Sequence, residues 1–121
     1  MQRNMDIVRD LLRLSAESSE PRVDAYSLAD SSISRELIAY HVRIMTQAGL
    51  IESYVKPDDL PAPGACFITS LTWRGNDFLD AVNSDTVWNE VKKKLASSVG
   101  SASFNVLTSL ASSVSMRLLG L

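Results

Sequence analysis

The chain has 121 residues, of which 45% are hydrophobic and 21% charged, values that suit one folded domain with a single core. Charges spread through the first twenty residues (Arg3, Asp6, Arg9, Asp10, Arg13, Glu17) exclude a signal peptide there, and the single cysteine, Cys66, excludes an internal disulfide framework and fits the reducing cytoplasm. A net charge of -2 and a pI near 5.3 exclude a dedicated nonspecific DNA coater, whereas sequence-specific binding needs only a local basic face.

Residues 5–16 form the first expected helix. Ile7, Val8, Leu11 and Leu12 recur at i, i+1, i+4 and i+5 as one apolar stripe, with Arg9, Asp10 and Arg13 on the other side. The polar run Ser18 to Pro21 ends on a proline that cannot continue a helix. Ser27-Leu28-Ala29-Asp30 reads as a short capped helix, broken by Ser31-Ser32. Ser34 then caps a further helix, in which Ile33, Ile38, Val42 and Met45 are expected inside and Arg35, Glu36, Ala39, Tyr40 and Arg43 outside. Ala48-Gly49-Leu50-Ile51 closes it, with glycine supplying the left-handed stop.

Leu50 to Val55 and Cys66 to Leu71 read as two strands. The second alternates imperfectly: neither Phe67 with Thr69 nor Ile68 with Ser70 gives a face of one residue class. Between the strands, Lys56 to Gly64 contains three prolines, which bar regular pairing and make a hairpin loop. Thr72 is placed to cap a fourth helix with Phe78, Leu79 and Val82 on one face. Asp85 caps a fifth with Trp88, Val91 and Leu95 inward, and Gly100 separates that helix from a last one at about 103–119. There is no internal repeat.

Helix, short helix, helix, strand, loop, strand is the order of a winged helix-turn-helix. The expected fold is therefore mostly α with a small β-hairpin: a winged helix over residues 1–84 and two C-terminal helices over 85–121, within one compact unit. On that reading the helix after Ser34 is the recognition helix, and its outer side would enter a major groove of double-stranded DNA. Arg35, Tyr40 and Arg43 are the candidate contacts, with Gln47 secondary; Arg43 suits a phosphate, Arg35 or Tyr40 a base edge or backbone oxygen. Two arginines in ten residues also suit an ordinary solvated helix face. Glu36 repels phosphate unless it accepts from a cytosine amino group. The loop weighs against DNA, because Lys56 is followed by Asp58 and Asp59, whereas a wing usually carries basic residues. An acidic, proline-rich loop suits docking on a protein.

The stretch Leu71-Thr72-Trp73-Arg74-Gly75-Asn76-Asp77-Phe78-Leu79-Asp80-Ala81 is more particular. Together with Met1-Gln2-Arg3-Asn4-Met5-Asp6, Asp85-Thr86-Val87-Trp88, Val99-Gly100-Ser101 and Leu118-Leu119-Gly120-Leu121, it resembles an uncharacterised family of small bacterial and prophage proteins, a domain of unknown function. The resemblance implies a winged-helix-like fold and a mobile-element context, and no catalytic residues. Physically, Gly75 allows a neighbouring element to approach closely, Trp73 and Phe78 are expected to anchor their helix against the first one, and Trp88 is expected to be a core or interface aromatic.

Nothing in the chain assembles a nucleophile, a base and an orienting group. His41 is expected on the recognition helix and Cys66 on a strand, metal-ligand spacing is missing, and no glycine-rich phosphate loop is present. Asp77 and Asp80 share a helix face, as exposed carboxylates often do. No enzyme, cofactor or metal site is expected. From Lys94 to Arg117 there is no charge, but eight serines make the segment too polar for a membrane span of about 20 residues. Phe104, Leu107, Leu110 or Ala111, Val114 and Leu118 form a stripe opposite a face of serine and alanine. That uncharged face suits a partner helix, most simply the same helix of a second copy, giving a homodimer; the other possibility is that the helix only covers its own core. The function these features imply is a cytoplasmic DNA-binding winged helix, a candidate phage or prophage transcriptional regulator. The alternative is a non-enzymatic protein-interaction adaptor on the same scaffold.

Overall fold

Asn4 starts the first helix by accepting the Asp6 N–H on its side-chain oxygen at 2.9 Å. This computed structural model describes residues 1–96 and 104–120. Helix α1 (Met5–Glu17) buries Ile7, Val8, Leu11 and Leu12 as their spacing requires. Arg9, expected on the solvent side, is buried as well.

A two-residue strand, β1 (Val23–Asp24), follows and had no sequence signature. Asp24 then caps a single 3-10 turn (Ala25–Leu28) by accepting the Tyr26 N–H at 2.9 Å. The short helix expected at Ser27–Asp30 thus lies earlier and is tighter. Ser27 serves it from inside, donating its hydroxyl to Asp24 O at 2.7 Å. Asp30 instead builds the next turn: its Oδ1 accepts from the Ser32 N–H, the Ser32 hydroxyl and the Ile33 N–H, each at 2.8 Å. The Ser32 hydroxyl foremost holds the Asp30 carboxyl below its usual range.

Ser34 accepts the Leu37 N–H at 3.1 Å and opens α2 (Arg35–Gln47). Ile38, Val42 and Met45 are buried; Ile33, expected with them, is only half-buried. Ala39, expected outside, is fully buried. The helix ends as Gly49 turns to φ 76°, with Gly49 N–H bonding Thr46 O and Leu50 N–H bonding Met45 O, both at 3.0 Å.

Strands β2 (Ile51–Val55) and β3 (Cys66–Leu71) pair antiparallel, and β1 lies on the other side of β3, in the order β1-β3-β2. The register carries Glu52 opposite Ser70 but Ser53 opposite Ile68, leaving Thr69 as an extra residue on β3. This bulge explains the broken alternation: Cys66, Ile68 and, one residue late, Leu71 stand opposite Val55, Ser53 and Ile51, while Phe67 and Ser70 stand opposite Tyr54 and Glu52. The inner residues Ile51, Cys66 and Ile68 complete a core with Leu11, Leu12, Ile38 and Met45.

Thr72 caps α3 (Trp73–Val82), its Oγ1 accepting the Gly75 N–H at 3.0 Å. The same hydroxyl donates to Gly49 O at 2.5 Å, and Thr72 N–H donates to Leu50 O at 3.1 Å. The start of α3 is therefore fastened to the end of α2. Gly75 makes this possible, because a Cβ there would overlap the Leu50 carbonyl oxygen. Trp73 does not anchor the helix; it is 84% exposed.

The chain forms two compact units, Met1–Asn76 and Asp77–Leu121, with the division lying within α3. In the second unit, Phe78, Leu79 and Val82 are buried, α4 (Asp85–Ala96) buries Val87, Trp88 and Val91, and α5 (Phe104–Leu118) buries Leu107, Ala111 and Val114. Helices α4 and α5 pack together, with Arg117 reaching Glu90 at 3.5 Å. Of the inward residues expected from sequence, the side chains of Leu95 and Phe104 and the glycine at 100 lie outside the described residues, as does the segment 97–103. Leu118 is half exposed, so the buried stripe ends at Val114.

Candidate nucleic-acid interface

On a helix turning about 100° per residue, Arg43, Glu36, Gln47 and Tyr40 fall within about 60° of arc. All but the half-buried Tyr40 are exposed. Opposite them, Ile38, His41, Val42 and Met45 are sealed in the core. Three of the four expected contact residues, Tyr40, Arg43 and Gln47, thus share one solvent face, and Glu36 shares it with them.

Arg35 stands apart. As the first residue of α2 it turns aside, its guanidinium carbon 4.3 Å from the centre of the Tyr26 ring. Tyr26 is buried and donates its hydroxyl to Pro63 O in the loop at 2.6 Å. Burial foremost raises the Tyr26 hydroxyl above its ordinary pKa, while the charges of Arg35 and Arg43 oppose that rise. The 3-10 turn, α2 and the β2–β3 loop therefore meet at one phenol ring. Sequence reading missed Tyr26, because the residue it bonds lies 37 positions away.

The β2–β3 loop uses one of its own carboxylates to hold its shape. Asp58 does not simply face solvent: its Oδ2 accepts the Gly64 N–H at 2.9 Å and its Oδ1 the Leu60 N–H at 3.1 Å. These bonds fold the loop across itself, as Lys56 N–H to Ala65 O at 2.9 Å closes its base. The Gly64 N–H foremost holds the Asp58 carboxyl below its ordinary pKa, and the charges of Lys56 and Arg43 act the same way. One of the two loop carboxylates is thus a fastening of the loop. Asp59 remains exposed.

A second link ties α2 to the hairpin. Thr46 donates its hydroxyl to Val42 O at 2.7 Å, which leaves its oxygen to accept from Ser53 Oγ at 2.7 Å. Elsewhere on the sheet, Arg22 lies over the Phe67 ring at 4.4 Å.

His41 and Cys66 are both buried. His41 is fully buried; its Nε2 accepts the Asn4 N–H at 2.8 Å and its Nδ1 lies 2.8 Å from Leu37 O. With Nδ1 protonated and Nε2 bare, both bonds form at once, so the neutral ring is the one that fits. Burial lowers its pKa accordingly. Cys66 is buried, and desolvation pushes its thiol up to about 11, the wrong direction for a nucleophile at neutral pH. Among the described residues no cluster of three or more His, Cys, Asp or Glu could hold a metal ion. No described helix is long and apolar enough to cross a membrane.

Residues 2–102 match the family described as hypothetical protein (DUF2513), and the chain belongs to that family. It is also similar to an uncharacterized protein of Haemophilus influenzae, 28% identical over 121 residues, covering 98% of this chain and 99% of the relative. No solved structure matches the chain.

Proposed function

We propose that this DUF2513 protein is a winged-helix DNA-binding protein of the bacterial cytoplasm, acting in the regulation of a phage or prophage gene. The observation that carries the reading is the solvent face of α2. A helix with side chains is about 10–12 Å across and the major groove about 12 Å wide, so such a face can enter it. Arg43 contacts phosphate, while Tyr40 and Gln47 reach a base edge or backbone oxygen. Arg35, held beside the wing, meets the backbone at the flank. Glu36 restricts the sequences accepted. No catalytic step is assigned.

The protein acts as a dimer through α5. Beside the buried stripe, Val106, Met116 and Leu118 are each about half exposed, and Val106, Ser109, Leu110 and Ser113 line an open cleft of about 420 Å³. A helix face of this chemistry is covered by an equivalent helix more readily than by water. Two copies then present two recognition helices to two half-sites. Leu110→Glu is expected to give a monomer by sedimentation.

Binding of the purified protein to duplex fragments from its own genomic neighbourhood, followed across salt, tests the reading. Saturable binding that weakens with salt is expected, and Arg35→Ala and Arg43→Ala each lower the salt slope by about 1. Absence of binding at low salt sinks the DNA reading. The exposed wing-tip Leu60 and the 84% exposed Trp73 would then favour the protein-interaction adaptor.

A further inference from the structure

We infer that Tyr26 is the residue that sets the wing against the recognition helix, so that Lys56 and the α2 face engage one duplex together; the DNA part of this inference rests on the function proposed above. Tyr26 sits in the 3-10 turn, which belongs to neither contacting element, yet it bonds both. Its hydroxyl donates to Pro63 O at 2.6 Å in a buried bond, and its ring face carries the Arg35 guanidinium at 4.3 Å.

Among the described residues, the other hydrogen bonds of the loop are internal to it. Asp58 and Lys56 close the loop upon itself, through the Leu60 and Gly64 N–H groups and Ala65 O. Those bonds give the loop a shape but no direction relative to α2. The Thr46–Ser53 bond ties α2 to β2 before the loop begins. Among the described residues, Tyr26 to Pro63 is the hydrogen bond that joins the loop itself to the helical layer.

The charges follow the same arrangement. Arg35 touches the Tyr26 ring, and the positive charge of Arg43 acts on both Tyr26 and Asp58. The charge of Lys56 acts on Asp58 as well. Arg35 by contact, and Arg43 and Lys56 by their charge, therefore act on the ring or on the loop fastening. A polyanion with regularly spaced phosphates is the ligand that such a grouping meets at several points. A loop swung away from Tyr26 would leave Lys56 without register to Arg43.

Tyr26→Phe isolates the claim, because it keeps the ring under Arg35 and removes only the hydroxyl. Nuclear Overhauser contacts between the ring of residue 26 and Pro63 in the free protein give the first readout. They are expected to weaken several-fold in the variant, while contacts inside the loop and the protection of the α2 amides stay as in the wild type. Unchanged ring–Pro63 contacts overturn the positioning role without reference to DNA. The second readout is a double-mutant cycle on the duplex fragments with Tyr26→Phe and Lys56→Ala. Each single change is expected to weaken binding several-fold, and the double variant no more than the weaker single variant. Multiplying losses would overturn the claim that Tyr26 acts through the wing. If the wild type binds no DNA, the proposed function fails and the duplex part of this inference with it, while weakened ring–Pro63 contacts in Tyr26→Phe would still establish Tyr26 as the loop's fastening.

Discussion

Replacing Gly75 with alanine sets two physical effects against each other. Helix propensity alone favours alanine over glycine by about 1 kcal/mol in a helix interior, and by less in the first turn, where Gly75 lies. The tertiary structure opposes it. A Cβ at Gly75 would overlap the Leu50 carbonyl oxygen and sit 3.0 Å from the carbonyl carbon, and both are backbone atoms that cannot rotate aside. Leu50 is itself pinned, its N–H bonded to Met45 O at 3.0 Å and its carbonyl accepting from Thr72 N–H at 3.1 Å. Relief must come from moving the α3 start away from the end of α2. Forced backbone shifts of that kind cost about 3 kcal/mol. The net loss is then about 2 kcal/mol, or roughly 6–12 °C in Tm for a chain of this size.

Urea and thermal denaturation followed by circular dichroism measure this. Gly49→Ala is the control for mechanism: no atom lies within 4 Å of its added Cβ, but φ is 76°, so it loses about 1 kcal/mol to backbone strain alone. A Gly75→Ala protein as stable as the wild type, or more so, would refute the close approach of α3 to Leu50.

The remaining predictions concern groups whose environment the fold sets. Burial lowers the folded pKa of His41, so its contribution to stability is full above the unfolded value of about 6.5 and is lost as pH falls through the folded value. Stability measured from pH 7.5 down to 5 should therefore decline more in the wild type than in His41→Gln, and equal slopes would refute the buried neutral ring. Cys66, with its thiol at about 11, should resist a disulfide reagent at pH 8 in the native state and react at once in denaturant; rapid native reaction would contradict its burial. Trp73→Ala should change stability by less than about 0.5 kcal/mol, whereas Trp88→Ala should cost about 3–5 kcal/mol. Iodide should accordingly quench Trp73 and spare Trp88.

Much of the local structure was legible in the residues. The stripes of α1 and α2 follow from i, i+3 and i+4 spacing, and the Ser34 cap, Gly49 stop and Thr72 cap follow from side-chain chemistry acting within a few residues. The strands were legible as segments, but the bulge at Thr69 was not, since register depends on the partner strand. β1 is two residues long and too short to show a period. Asp24, Ser27 and Asp30 all had the chemistry of a cap, and only the fold decides which N–H each one meets.

The candidate site divides in the same way. Sequence by itself determined which residues α2 could show to solvent, because a helix turns every residue by a constant angle. Ala39 escaped that reasoning: it stands between the two faces, where burial depends on what packs beside the helix. The tertiary structure alone decided that Arg35 lies over the Tyr26 ring, that His41 holds Asn4, and that Asp58 fastens the β2–β3 loop. The Tyr26–Pro63 and Asn4–His41 bonds each join residues 37 apart in the chain. No local pattern encodes such pairs, because their geometry exists only once separate elements have packed and excluded water from between them.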